Sequence, residues 1–196
     1  MWLRLIYLHS PLHKAIIEQE RRGIMEQADA FLTTRKEEET AYVGEILGRI
    51  ISEPLVIALQ GELGAGKTVF VRGAARGLET ADQVSSPTFV LMKIYQGRLP
   101  LYHFDFYRLS DDEGEIAELG FEEYLPGDGV AFVEWAERLP ALIPPDHLLV
   151  RLELFHDQYG EGRRIWFVPY GNTARQVVEK ISEAIAWRTD GSLKQP

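Results

Sequence analysis

From Thr34 onward the hydrophobic positions recur with helical spacing: Val43, Ile46, Leu47, Ile50 and Ile51 fall at i, i+3, i+4, i+7 and i+8. Thr34 with Glu37 three residues later predicts a capping-box start, and Pro54 follows the end. Residues 55–59, Leu-Val-Ile-Ala-Leu, form an uninterrupted apolar run of strand length, which predicts a strand buried on both faces. A glycine-rich turn follows, and residues 67–78 are helix-compatible, ending near Gly77. Two aromatic and β-branched runs, 89–95 and 99–107, flank Gln96-Gly97-Arg98 and predict an antiparallel pair. After Ser110 comes an acidic helix-like stretch, with seven acids and no base over 111–123. Residues 130–133 predict another short buried strand, running into Glu134-Trp135. Residues 147–155 and 163–168 alternate as a second antiparallel pair, and Asn172 is placed to cap a last helix with the stripe Val177, Val178, Ile181, Ile185. The order predicts an α/β fold, a sandwich with a mixed, partly parallel central sheet flanked by helices.

Composition bounds this picture. A chain of 196 residues with 45% hydrophobic and 26% charged residues matches one soluble globular domain and excludes disordered and collagen-like classes. No stretch reaches the roughly 18–20 apolar residues of a membrane span, so no membrane association is expected. The absence of cysteine rules out disulfides, thiolate metal sites and thiol catalysis, and fits a reducing compartment. The formal charge of −9 argues against a broad surface for gripping nucleic-acid phosphates. Residues 1–24 carry a balance of +2, leaving −11 for the remainder, and they have neither the apolar length nor the small-residue cleavage site of a signal peptide. Arg21-Arg22, if encoded AGG-AGG, would form a ribosome-binding sequence spaced for a start at Met25. Two readings of 1–24 follow, a peripheral extension or a misassigned start, with 25–190 as the single domain and 191–196 as a flexible tail.

The chemistry is concentrated in Gly61-Glu62-Leu63-Gly64-Ala65-Gly66-Lys67-Thr68, a full match to the phosphate-binding loop G-x-x-x-x-G-K-[ST]. Such a match arises by accident in roughly 1% of chains of this length. Its position after a predicted buried strand and before a predicted helix is the context the motif requires. Backbone N–H groups of the loop would turn inward around a polyphosphate at a helix N-terminus, with Lys67 reaching the β- and γ-phosphates and Thr68 ligating Mg²⁺. A site of this kind also needs a carboxylate at the end of a neighbouring strand. Glu134, after four apolar residues, and Asp105 both qualify. In a strand, His103, Asp105 and Tyr107 share one face, which is either a solvated side or a functional row. Ser86 and Thr88, around Pro87, belong either to a switch loop that senses a γ-phosphate or metal or to a plain turn with local hydroxyl caps.

Taken together, residues 61–68, Ser-Pro-Thr-Phe at 86–89, His-Phe-Asp-Phe-Tyr-Arg-Leu at 103–109, Glu-Leu-Gly-Phe-Glu-Glu-Tyr at 118–124 and Val-Glu-Trp at 133–135 strongly resemble the TsaE (YjeE) family. The match runs in order across about residues 33–170. The resemblance implies a cytoplasmic P-loop ATPase that serves formation of threonylcarbamoyladenosine in tRNA, docks on TsaD and TsaB, and reaches tRNA only through them. It further implies that residues 62–68 (Glu62, Leu63, Gly64, Ala65, Gly66, Lys67, Thr68) and Trp135 lie at ATP. Thr68 and Glu134 would ligate Mg²⁺, and Asp105 would be needed for activity. The nucleotide-proximal start of the family's first helix maps loosely to 34–38, and Arg163 or Arg164 would approach the phosphates. The acidic 111–123 stretch would then face either solvent or a basic partner. A small-molecule P-loop kinase is the alternative, although no arginine-bearing lid insertion lies between Arg72 and Arg98.

Overall fold

The strand predicted at 55–59 lies at the centre of a seven-stranded sheet in the computed structural model, which describes residues 30–109, 120–125 and 127–185. Both readings of residues 1–24, most of the acidic stretch and the 191–196 tail lie outside the described residues. The elements are β1 (Ala30–Thr34), α1 (Glu37–Ile50), β2 (Leu55–Gln60), α2 (Lys67–Gly77), β3 (Met92–Tyr95), β4 (Leu101–Asp105), β5 (Val130–Glu134), β6 (His147–Asp157), β7 (Gly160–Tyr170) and α3 (Asn172–Ala184). The sheet order is β1-β7-β6-β2-β5-β4-β3. Four inner strands, β6, β2, β5 and β4, run parallel, while β3 and β7 pair antiparallel at either side and β1 pairs antiparallel with β7. The mixed, partly parallel α/β sheet expected from the pattern is therefore present.

The continuous apolar runs serve two cores at once. Leu55, Ile57 and Leu59 of β2, with Val130 and Phe132 of β5, face a layer containing the three described helices, where Val43, Leu47, Phe70, Ala74, Val177 and Ile181 are buried. Val56, Ala58, Ala131 and Val133 face the opposite core, closed by Phe106, Leu109, Phe121, Leu125, Ala136 and Leu139. Among the described residues, three short 3-10 turns accompany that second face, at Phe121–Glu123, Ala136–Arg138 and Pro140–Leu142. No described helix is long and apolar enough to cross a membrane.

Two capping expectations are corrected, one strand is added and one of the two readings of β4 is narrowed. Residues 30–34, which precede the predicted helix, form a strand, because Ala30–Thr34 finds its ladder partner in β7, more than 120 residues away. Thr34 ends that strand and shares a 2.8 Å hydroxyl contact with Thr40 instead of capping α1. Lys36 holds the cap position, and the Glu39 carboxylate reaches back to accept from the backbone N–H of Arg35 (2.6 Å) and Lys36 (3.3 Å). Asn172 is the first helical residue of α3; Gly171 precedes it, and the Asp146 carboxylate accepts from the amides of Thr173 and Ala174, both at 3.3 Å. Of the two readings of the His103, Asp105 and Tyr107 row, the solvated side does not hold within β4, where all five residues are buried, while Tyr107 beyond its end is exposed.

Outside the core, the β6–β7 hairpin tip is tied to the β1–α1 junction. Arg35 donates two hydrogen bonds to Asp157, at 2.9 and 2.7 Å, and holds that carboxyl down to about 2. Its guanidinium also lies 4.8 Å from the Phe155 ring centre.

The helix that opens after the glycine-rich loop is held by backbone-to-backbone packing. Gly44 and Gly48 on α1 meet Gly73 and Gly77 on α2. A Cβ at these positions would sit 2.1 Å from the Phe70 carbonyl oxygen, 2.2 Å from that of Ala74, 1.8 Å from that of Ala41 and 2.2 Å from that of Glu45, respectively. Only glycine allows this approach. In an isolated helix Gly→Ala gains up to about 1 kcal/mol, but forcing an atom into a packed seam costs about 1–3 kcal/mol or more, and here the obstacle is backbone that cannot rotate away. Gly73→Ala is therefore expected to lower the unfolding temperature by roughly 4 °C or more in scanning calorimetry. A variant melting at or above the parent would refute the seam's importance.

Candidate nucleotide site

The loop from Gly61 to Thr68 leaves the carboxyl end of β2 and enters α2 directly. Gly64 and Gly66 adopt φ of +84° and +100°, backbone that side-chain-bearing residues avoid. Ala65 is fully buried and anchors the loop to the core, while Leu63 is largely exposed. Lys67 is buried to 4% exposure, and its ammonium donates to the carbonyls of Gly61 (2.6 Å) and Glu62 (3.0 Å). Its nitrogen also lies 3.8 Å from the centre of the Trp135 ring. Burial pushes the Lys67 ammonium below its ordinary value, opposed by Glu134, Glu137, Asp105 and Glu62. Trp135 takes φ +61°, a left-handed conformation costing about 1–2 kcal/mol, and its ring packs 4.9 Å from that of Tyr107.

Parallel pairing brings the two candidate carboxylates to one edge. Leu59 of β2 is level with Glu134 of β5, and Glu134 is level with Asp105 of β4. Both acids are nearly inaccessible, at 4% and 3%. Glu134 Oε1 accepts from the Thr68 hydroxyl at 2.7 Å and lies 2.8 Å from His103 Nε2. Asp105 Oδ2 accepts from the hydroxyls of Thr88 and, at 3.3 Å, Ser86, while Oδ1 accepts from the Tyr107 amide at 3.0 Å. The same loop is held from β3, where Lys93 donates to the Ser85 hydroxyl at 2.6 Å.

A cavity of about 290 Å³ is lined by Glu37, Leu63, Gly64, Gly66, Lys67, Thr68, Val69, Ser86, Thr88, Asp105, Tyr107, Glu134 and Trp135. Ten of these residues were marked from sequence as candidates. Glu62 and Ala65 do not line it: Glu62 contributes its carbonyl to Lys67, and Ala65 packs beneath. Glu37, Val69 and Tyr107 were not singled out as site residues. Glu37 opens α1 with its side chain exposed, 3.9 Å from the Arg163 guanidinium, and no residue pattern distinguished it from Glu38 or Glu39. Arg163 itself lies near the loop, with its Nε 3.0 Å from where a Cβ on Gly66 would be. Arg164 instead pairs with Glu153 at 3.6 Å.

These donors suit a hydrated divalent cation. The hydroxyl of Thr68 and the carboxylate of Glu134 are hard oxygen ligands 2.7 Å apart, close to the roughly 2.9 Å between adjacent ligands in an octahedron of 2.0–2.1 Å bonds. Among the described residues no group of three or more acidic or histidine side chains could hold a metal ion by itself. An anionic polyphosphate beside Glu134 and Asp105 also requires cationic compensation beyond Lys67.

A strand, a glycine-rich loop and a helix in this order, with a carboxylate on the adjacent parallel strand, define a P-loop nucleotide-binding fold. The profile of the family described as "Threonylcarbamoyl adenosine biosynthesis protein TsaE" matches residues 34–165, and this chain belongs to that family. It is 38% identical over 146 residues to the TsaE protein of Bacillus subtilis, covering 74% of this chain and 89% of the relative. It is 41% identical over 124 residues to that of Treponema pallidum, covering 63% and 91%. A crystal structure of Bacillus subtilis YdiB superposes with a TM-score of 0.64 at 33% identity, covering 79% of this chain and 94% of that one. The kinase alternative is not favoured by these relationships.

The contacts around Asp105 predict a specific dynamic effect. Asp105→Ala removes the acceptor of both loop hydroxyls. Amide hydrogen exchange over residues 85–91 is expected to accelerate several-fold while β2 and β5 stay protected. Unchanged exchange in that loop would show that Lys93 and the Tyr95 hydroxyl, which meets the Ser85 backbone at 3.3 Å, hold it alone.

Proposed function

We propose that this protein binds ATP with Mg²⁺ and hydrolyses it as an accessory subunit of the machinery that forms threonylcarbamoyladenosine in tRNA, docking on TsaD and TsaB. The observation that carries the reading is the single cavity lined by Lys67, Thr68, Glu134 and Asp105 around an intact phosphate-binding loop. Backbone amides of residues 62–68 and the Lys67 ammonium would cradle the phosphates, the ammonium leaving the carbonyls of Gly61 and Glu62 to do so. Thr68 and Glu134 would hold the metal. Bound there, Mg²⁺ would neutralise charge developing on the transferring phosphoryl group. Asp105 would keep the Ser86–Thr88 hydroxyls at the cavity, or orient the attacking water, whose oxygen forms the new P–O bond as the bond to ADP breaks. Trp135 would pack beside the nucleotide once Lys67 has moved.

The acidic surface fits a subunit that meets tRNA through protein partners in the cytoplasm, since −9 gives no general attraction to a polyanion. Hydrolysis would be slow for the isolated chain if a partner completes the site.

Three measurements test this reading. ATP consumption by the purified chain is expected to be low and to rise on adding TsaD and TsaB. No stimulation, together with phosphate transfer to a metabolite, would support a kinase instead. Lys67→Ala is expected to abolish nucleotide binding, and Glu134→Ala to weaken binding only when Mg²⁺ is present. Asp105→Ala is expected to lower turnover more than ATP affinity, and equal losses would assign it a structural role.

A further inference from the structure

His103 is a fully buried polar side chain beside the site, yet it does not line the cavity. It is at zero exposure on β4, two residues before Asp105, and β4 runs parallel beside β5. Its Nε2 lies 2.8 Å from Glu134 Oε1, the same oxygen that accepts the Thr68 hydroxyl. An ionised carboxylate only accepts, so Nε2 carries the hydrogen and donates. Nδ1 is buried without a hydrogen-bond partner among the described residues, so the imidazole makes a single polar contact, and that contact is with Glu134. An imidazole left with one bare buried nitrogen is an expensive choice for a core position that an apolar ring would fill. The bond to Glu134 is what the expense secures.

We propose that His103 is a positioning residue for the Glu134 carboxylate. It occupies one lone pair of Oε1 from the β4 side and fixes the carboxylate plane, so that the remaining oxygen lone pairs are presented to Thr68 and to the divalent cation that joins it. The proposal rests on the reading of Thr68 and Glu134 as metal ligands. Thr68 approaches from the cavity and His103 from the sheet interior, so a cation recruiting the Thr68 oxygen leaves the His103 bond in place. Without that bond the carboxylate would face Thr68 alone and rotate about its own χ angles. Partners of metal-ligating groups typically contribute 10- to 100-fold to metal affinity.

The test is a magnesium titration of ATP binding, with binding in EDTA and thermal unfolding measured on the same samples. The single variants His103→Leu, His103→Asn, His103→Gln and Glu134→Ala are compared, together with each His103 substitution in a Glu134→Ala background. His103→Leu is expected to raise half-saturating Mg²⁺ about tenfold or more while leaving binding in EDTA unchanged. His103→Gln, whose amide N–H reaches about as far as Nε2, is expected to stay within about threefold of the parent. His103→Asn, whose amide stops short, is expected to shift like His103→Leu, and it carries the test if the leucine variant fails to fold. In a Glu134→Ala background the His103 substitutions are expected to add nothing to the Mg²⁺ requirement. The proposal is overturned if folded His103→Leu or His103→Asn titrates like the parent, or if binding in EDTA falls as much as binding in Mg²⁺. If Glu134→Ala itself leaves the titration unchanged, the metal assignment falls; if Glu134→Ala shifts it and the His103 variants do not, only the positioning role falls.

Discussion

Two carboxylates buried side by side at the carboxyl edge of parallel strands are the constraint around which this site is built. The register of β2, β5 and β4 places Glu134 level with both Leu59 and Asp105. A buried carboxylate without partners costs several kcal/mol, so each must be met by donors. Glu134 is met by Thr68 from α2 and His103 from β4; Asp105 is met by Ser86, Thr88 and the Tyr107 amide. Satisfying these groups draws the first turn of α2, the 85–88 loop and the end of β4 into one cavity. The polar contacts that satisfy the buried acids thus also assemble the groups that would receive a nucleotide and a cation.

The phosphate-binding loop depends on a second support that is purely steric. Its helix, α2, lies so close to α1 that carbonyl oxygens occupy the space of the missing Cβ atoms of Gly44, Gly48, Gly73 and Gly77. This seam fixes the N-terminus of α2, where Thr68 sits and where a bound anion would lie. It also brings the start of α1, with Glu37, to the rim of the cavity. Lys67 is then poised between two sets of acceptors. Its ammonium rests on the carbonyls of Gly61 and Glu62 and against the face of Trp135, and phosphate oxygens would compete with those contacts for the same donors.

Much of this was legible along the chain. The loop 61–68, the strand before it and the helix after it follow from local chemistry, since glycine spacing and apolar runs are properties of consecutive residues. Glu134 was visible as an acid ending an apolar run, and Asp105 as an acid sharing a strand face with His103 and Tyr107. The strand Ala30–Thr34 was not visible, because its stability comes from pairing with β7 at the far end of the domain. The start of α1 shifted from Thr34 to Lys36 for the same reason: Thr34 was already committed to β1 and to Thr40.

The sequence alone therefore determined the fold class, the family and most of the residues that line the candidate site, because those depend on residue type at fixed short spacing. Only the tertiary structure decided the pairings: Glu134 with Thr68 and His103, Asp105 with the Ser86–Thr88 loop, α1 with α2 through glycine. These contacts join residues from 17 to 66 positions apart, apart from the helix seam, and no local pattern encodes which buried acid will receive which donor. That choice is made when the parallel strands fix their register and desolvation forces each carboxylate to find a partner.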